Sequence, residues 1–110
     1  MEDAPMQDEL DWTAQERSRF AALGQDFLID ILEAETSRHP DNVDALAELG
    51  HLYTRAGRNE DGLEVDRRLV RLLPHDATAR YNLGCSLALL GEVDAALDEL
   101  EAAAELGYVD

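Results

Sequence analysis

The 110-residue chain has one cysteine, no lysine and only 5% aromatic residues. A single cysteine excludes an internal disulfide bond and a cysteine-based zinc site. No apolar run approaches the roughly 18 residues of a membrane-spanning helix, and the segment Met1 to Gln7 lacks the basic flank and apolar run of a signal peptide. These absences predict one small cytoplasmic domain that has no membrane anchor and binds no metal.

Positive charge is scarce as well. The 9 basic residues are all arginines and stand against 25 acidic residues, which gives a net charge of −16. The negative electrostatic potential of such a chain makes nucleic acid or an anionic membrane an unfavourable partner. It fits a soluble acidic surface, a basic protein partner, or adaptation to a salty cytoplasm.

The residues that are present repeat with a period of 34. Displacing the sequence by 34 residues aligns these identical pairs: Pro40 with Pro74, Ala45 with Ala79, Leu49 with Leu83, Gly50 with Gly84, Gly57 with Gly91, Leu63 with Leu97, and Leu72 with Leu106. Proline and glycine set turns, and leucine sets close packing. The period therefore indicates two copies of one supersecondary unit.

Each unit contains a helical pattern, a short turn, a second helical pattern and then proline in the first copy or tyrosine in the second. The phrases Leu-Gly-His-Leu-Tyr at 49–53 and Leu-Gly-Cys-Ser-Leu at 83–87 mark equivalent positions. With these phrases the chain resembles the tetratricopeptide-repeat (TPR) family, over about two thirds of its length. The resemblance implies an all-α fold, a short right-handed α-solenoid of antiparallel helix hairpins.

The predicted organisation is a disordered acidic tail (1–12), an N-terminal helix or degenerate repeat (13–39), a first repeat (40–73) and a second repeat (74–110). Thr13 and Glu16 match a capping box at the start of the N-terminal helix. Gly24 leaves two alternatives, one long helix or a hairpin that stands for a degenerate repeat. Trp12 is expected to staple the helix start or to be exposed for a partner. One helical face is predicted for Phe20, Leu23, Phe27, Leu28, Ile31 and Leu32.

The four repeat helices are predicted at 43–56, 59–73, 77–90 and 92–106. Good N-caps precede the first helix of each unit, at Asp41 or Asn42 and at Asp76. Further predictions follow from the position of each glycine and apolar residue within the 34-residue unit. Left-handed caps are predicted at Gly57 and Gly91, a close helix backbone at Gly50 and Gly84, and a broad packing face at Val93, Ala96, Leu97, Leu100, Ala103 and Ala104.

Asp66 departs from the repeat pattern, which places a bulky apolar residue at its position. A carboxylate buried without a partner is costly. Three solutions remain open: Arg67 or Arg68 pairs with it, another neighbouring donor does, or the helix is rotated so that Val65 packs instead.

The sequence contains no phosphate-binding loop, nucleotide fingerprint or nucleophile elbow. Cys85 and His51 form the only pair that resembles a nucleophile and a base, and a dyad would also need an oxyanion site and an orienting group. A small apolar cysteine beside a surface histidine is the favoured interpretation. The three histidines show no i, i+4 ligand spacing. The prediction is a non-enzymatic protein without a cofactor.

The resemblance implies that the first helices of the two repeats line a concave groove for an extended peptide or a partner helix. The predicted lining is Asp44, Ala47, His51, Thr54, Arg55, Thr78, Tyr81, Asn82, Cys85 and Ala88. For each of these residues, a solvated helix face is the alternative. Part of the family grips a C-terminal carboxylate with a clamp of lysine, arginine and asparagine. Only Asn82 fits that clamp, which argues against binding of this kind.

The last predicted helix suggests a second function. Ala95, Ala102 and Leu106 lie outside its main apolar stripe, and no polar capping helix follows it in the sequence. Uncovered apolar patches often mark interaction surfaces, so self-association through this edge is one hypothesis. The alternatives are that an alanine-rich edge is tolerated uncovered, or that the chain is part of a longer one. A small acidic chaperone for a basic client is a third possible function.

Overall fold

The computed structural model describes residues 13–109, which form five α-helices and no strand. The helices are α1 (Ala14–Arg38), α2 (Val43–Arg55), α3 (Asn59–Leu72), α4 (Ala77–Leu89) and α5 (Val93–Glu105). Within the described residues, each helix packs only against the helices adjacent to it in sequence. This one-dimensional arrangement defines an α-solenoid, and it confirms the predicted all-α class.

The predicted helix starts are confirmed. The Thr13 hydroxyl accepts from the Glu16 backbone N–H, and the Glu16 carboxylate accepts from the Thr13 N–H, both at 3.0 Å. Asn42 and Asp76 each accept from the backbone N–H three residues later, at 3.1 and 2.9 Å. These side chains satisfy N–H groups that the first turn of a helix leaves without a partner.

Two of the predicted helix ends are confirmed by backbone geometry. Gly57 and Gly91 have φ values of 75° and 81°, the left-handed region that only glycine enters without strain. The turns that they close are short, so consecutive helices run antiparallel.

Helix α1 is continuous through Gly24, so the hairpin alternative for this segment is wrong. The helix has 25 residues, and the residues on both sides of Gly24 are helical. Among the described residues, a Cβ atom built at Gly24 would meet nothing within 4 Å. Packing against this part of the chain therefore does not explain the glycine. Trp12 and the acidic tail of residues 1–12 lie outside the described residues.

Of the apolar face predicted for α1, Leu32 packs against the core, whereas the other five residues are exposed. Phe20, Leu23 and Phe27 are 65%, 69% and 65% exposed, whereas Ile29 on the opposite side of the helix is buried. Helix α2 has 13 residues and is about 20 Å long, whereas α1 is about 37 Å long. Helix α2 can therefore cover only the C-terminal half of α1, and every side chain from residue 14 to residue 24 is exposed.

The core runs along the solenoid between consecutive helices. Leu46 and Leu49 are its most buried leucines, and they lie in the middle of α2. Its other members include Leu52, Tyr53, Val65, Leu69, Leu83, Leu87 and Ala96.

The glycine inside the first helix of each unit allows close packing, as predicted, but in two ways. A Cβ at Gly84 would lie 3.3 Å from the Ala96 backbone oxygen and 2.8 Å from Leu100 Cγ. At Gly50 the nearest atoms belong to side chains, those of Val65 and Asp66, at 3.4 Å. A close backbone approach is therefore present at the second glycine only.

The packing face of α5 is narrower than predicted. Ala96 and Ala103 are buried, but Val93, Leu97 and Ala104 are exposed. No described helix follows α5, so this side of the helix has nothing to pack against. Of the predicted self-association edge, Ala95 and Leu106 are exposed and Ala102 is half-buried.

Candidate peptide-binding groove

A recess of about 220 Å³ opens between helices α2, α3 and α4. Helices α2 and α4 form its walls, and α3 forms its floor. Its lining consists of Ala47, Gly50, His51, Thr54, Arg55, Asp66, Leu69, Asn82, Cys85, Ser86 and Leu89. The wall residues of α2 recur at three- and four-residue intervals, which places them on one face of that helix.

Six of the ten residues predicted for the groove line this recess. His51, Thr54 and Arg55 are exposed at its rim, and Ala47, Asn82 and Cys85 are half-buried. The other four do not line it. Asp44, Thr78 and Ala88 are exposed elsewhere on the first helices, and Tyr81 is half-buried.

Tyr81 is held by a residue near the C-terminus. Its ring stacks on that of Tyr108, with centroids 4.1 Å apart and planes inclined by 7°. Tyr108 occupies the position that proline holds in the preceding unit. Tyr81 therefore helps to fix the segment after α5 rather than line the recess.

Asp66 lies at the floor of the recess and is only 7% exposed. The Ser86 hydroxyl of α4 donates a hydrogen bond to its carboxylate. Arg68 does not pair with it but donates to the backbone oxygens of Thr36 and Pro40, both at 3.4 Å. The second of the three predicted solutions, a neighbouring donor, is therefore observed, and Val65 also packs in the core, as the third expected.

Burial raises the pKa of Asp66 above the usual range of an aspartate, although the Ser86 hydrogen bond and the nearby His51 act in the opposite direction. The missing side chain at Gly50 leaves room for the carboxylate, since a Cβ there would lie 3.4 Å from Oδ1. The site thus contains a buried acceptor that is only partly satisfied by protein donors.

The sequence analysis missed five residues of the recess. Asp66 and Leu69 lie on its floor, and Gly50, Ser86 and Leu89 lie on its walls. A signal existed at Asp66, because a carboxylate at an apolar position of a repeat requires a donor from a neighbouring helix.

The raised pKa of Asp66 leads to a pH-dependent prediction. A carboxyl group with a higher pKa in the folded state favours folding at low pH, and this contribution is lost as the pH rises through the folded pKa. Asp66→Asn should therefore raise the melting temperature at pH 7, because it removes a buried charge and keeps a partner for Ser86. The gain should shrink as the pH is lowered into the acid range, as followed by thermal unfolding monitored by circular dichroism.

Asp98→Asn is the matched control, since Asp98 is exposed on α5 and its replacement changes the net charge equally. It should leave the melting temperature nearly unchanged at each pH. An equal, pH-independent gain in both variants would show that overall charge, and not burial at Asp66, sets the effect.

The described residues contain no cluster of potential metal ligands. Among residues 13–109, no group of three histidine, cysteine or acidic side chains is placed to hold a metal ion. Cys85 is a half-buried free thiol. No helix in the same part of the chain is both long and apolar enough to cross a membrane.

A solenoid of antiparallel helices with a recess between its first helices is the architecture of a helical-repeat module for protein–protein interaction. The family model described as tetratricopeptide repeat matches residues 29–77 and 49–107. The chain therefore belongs to the tetratricopeptide-repeat family, as the sequence predicted. Folds of this family are typically non-catalytic interaction modules.

Similarity to individual proteins covers different parts of the chain. The Protein CTR9 homolog of Arabidopsis thaliana is 44% identical over 68 residues, which are 62% of this chain and 6% of that protein. The chain thus spans only a small part of that relative.

Solved structures of MamA share the fold. One crystal structure has a TM-score of 0.72 and 28% identity, with 87% of this chain and 56% of the MamA chain covered. Another, MamA MSR-1 C2, has a TM-score of 0.68 and 25% identity, with 76% of this chain and 48% of the other covered. The chain spans about half the length of these MamA chains.

Proposed function

We propose that the chain is a non-catalytic scaffold or adaptor that binds a peptide segment of a partner protein in the groove between α2 and α4. The observation that carries this proposal is the recess itself, in which a buried carboxylate lies below a rim of basic and polar side chains. The lining also includes the apolar residues Ala47, Leu69 and Leu89. A recess that combines apolar side chains with a few convergent polar groups is typical of binding sites.

The chemistry of the recess favours an extended peptide over a whole helix. A volume of about 220 Å³ holds one large side chain and not several turns of helix. Asn82 can bond to the peptide backbone, since its amide both donates and accepts. At the floor, Asp66 accepts hydrogen bonds, so the anchor side chain of the peptide should carry a donor beside its apolar part.

Replacing both basic rim residues tests the groove. A peptide selected by phage display against the wild-type chain should bind at least ten-fold more weakly to His51→Ala/Arg55→Ala, which corresponds to about 1.4 kcal/mol. The reason is that both side chains border the recess and contact anything that enters it. Isothermal titration calorimetry measures the affinity.

The matched control is Arg71→Ala/His75→Ala, which removes the same two residue types from exposed positions outside this recess. It should bind the peptide as the wild type does. Equal affinity of all three proteins would contradict the groove proposal. Tyr81 is left intact in both variants because it stacks on Tyr108.

Two other functions have specific support. Self-assembly through the predicted edge of α5 is supported by the exposure of Ala95 and Leu106, although Ala102 between them is half-buried. A chaperone role for a basic client is supported by the net charge of −16. We retain the sequence-based predictions of a cytoplasmic location and of no nucleic-acid or membrane partner, and they stay predictions.

A further inference from the structure

The side of α1 opposite Ile29 presents an apolar surface that no described helix covers. We define the α1 stripe as Phe20, Leu23, Phe27, Leu28 and Ile31, whose side chains are 47–69% exposed. The stripe faces away from Ile29, the residue through which α1 packs on the solenoid. Short helical segments are only marginally stable in water without tertiary packing, so a helix packed on these exposed side chains would stabilise α1.

We propose that the α1 stripe is a dimerisation surface, on which α1 of a second copy of this chain packs in the antiparallel direction. Within the solenoid, each helix from α2 to α4 packs between two neighbours, whereas α1 packs on α2 and accepts one hydrogen bond from Arg68 of α3 near its C-terminal end. A second α1 would supply the missing antiparallel neighbour. An isologous pair of this kind closes on itself with two-fold symmetry.

Gly24 supports a helix crossing at the centre of the stripe. Phe20 and Phe27 lie at equal distances on either side of the midpoint between Leu23 and Gly24, so antiparallel pairing places each phenylalanine opposite the other. Glycine inside a helix costs roughly 1 kcal/mol relative to alanine, and no atom of residues 13–109 lies within 4 Å of the Cβ position at Gly24. A second helix that passes close to this point gives the glycine a role.

The charges beside the stripe favour antiparallel over parallel pairing. Arg19, Asp26 and Asp30 are exposed and lie on the same flank of the helix. In an antiparallel two-fold pair, each flank faces the same flank of the other copy. Arg19 then lies opposite position 28, between the two aspartates of the second copy. In a parallel pair this flank would face the other flank, and the match would be lost.

Asp26 and Asp30 repel each other, and a nearby positive charge would relieve this repulsion. They are four residues apart, and like charges at that spacing destabilise a helix. No ion pair involves either of them among residues 13–109. Arg19 of a second copy would supply the positive charge that the helix itself does not place beside them.

The exposed area sets the expected strength. At roughly 200 Å² for a large apolar side chain, the stripe offers about 600 Å² per copy, somewhat less than the roughly 800 Å² of a standard stable interface. We therefore expect a dimer in the micromolar range, which dissociates on dilution.

The test is the molar mass of the full chain, measured by light scattering and sedimentation velocity from low to high micromolar concentration. The wild type should shift from monomer to dimer, and Leu23→Glu/Phe27→Glu should stay monomeric. Both replaced side chains are exposed, so circular dichroism should show an unchanged fold. The matched control, Val93→Glu/Leu97→Glu, places two glutamates on the exposed side of α5 and should still dimerise.

A charge exchange tests the antiparallel direction. Arg19→Asp alone and Asp26→Arg/Asp30→Arg alone should each weaken the dimer, and the triple variant should restore it. A monomeric wild type throughout the range would overturn the proposal, and so would a dimer that survives the two α1 glutamates. Loss of the dimer in the α5 variant only would assign self-association to α5 instead. Neither result bears on peptide binding by the groove.

Discussion

Leu46→Ala should lower the free energy of unfolding by about 3 kcal/mol, within the range of 2–5 kcal/mol that leucine truncation in a core costs. Leu46 is 0% exposed and belongs to the core cluster to which all five helices contribute. A solenoid core is one layer deep, so few other side chains can move into the space that the leucine leaves. Chemical denaturation followed by circular dichroism at 222 nm measures the loss.

The control for this truncation is Leu97→Ala, because Leu97 is 53% exposed on the outer side of α5. Its cost should stay below about 1 kcal/mol, the value for partial burial of a few methylene groups. If both variants lost similar stability, the unfolding of α5 and not the packing around Leu46 would determine the measured free energy.

Local signals explain why most of the fold could be predicted from the sequence. Asn42 and Asp76 cap the helices that follow them, and Gly57 and Gly91 end the helices before them. Each of these effects depends on residues within one turn. The period of 34 then required that both units have the same form.

Contacts between distant residues explain what the sequence did not show. The pattern in α1 gave an apolar face but not whether another helix covers it, and that depends on which side of α1 packs against α2. Likewise, the partner of Asp66 lies on α4, 20 residues away in sequence. The six predicted groove residues that line the recess come from the first helices, whereas the missed floor depends on how α3 packs between them.

Asp66 links the stability of the solenoid to its candidate site. An apolar residue at its position would pack without a desolvation cost, as the repeat pattern expects. The carboxylate instead joins α3 to α4 through Ser86 and leaves an acceptor at the floor of the recess. Groups that reduce stability in this way are common at binding sites. The repeat pattern is therefore broken at the point where a peptide would be anchored.

Gly84→Val should cost about 3 kcal/mol, at the upper end of the range for overpacking a core. The Cβ alone would lie 2.8 Å from Leu100 Cγ and Cδ2 and 3.3 Å from the Ala96 backbone oxygen. Leu100 can rotate away, but the Ala96 oxygen is fixed by its helix, so α5 must move outward from α4. Thermal and chemical unfolding should both report the loss.

The matched comparison is alanine at two glycines that are both buried within helices. Gly84→Ala should destabilise the chain, because the contacts of its Cβ outweigh the gain in helix propensity. Gly62→Ala should stabilise it by up to about 1 kcal/mol, because its nearest neighbour is 3.5 Å away, an ordinary contact distance. Equal effects at the two sites would mean that helix propensity dominates and that α4 and α5 are not in close contact at Gly84. Opposite signs would identify this glycine as the residue that sets the spacing between the last two helices.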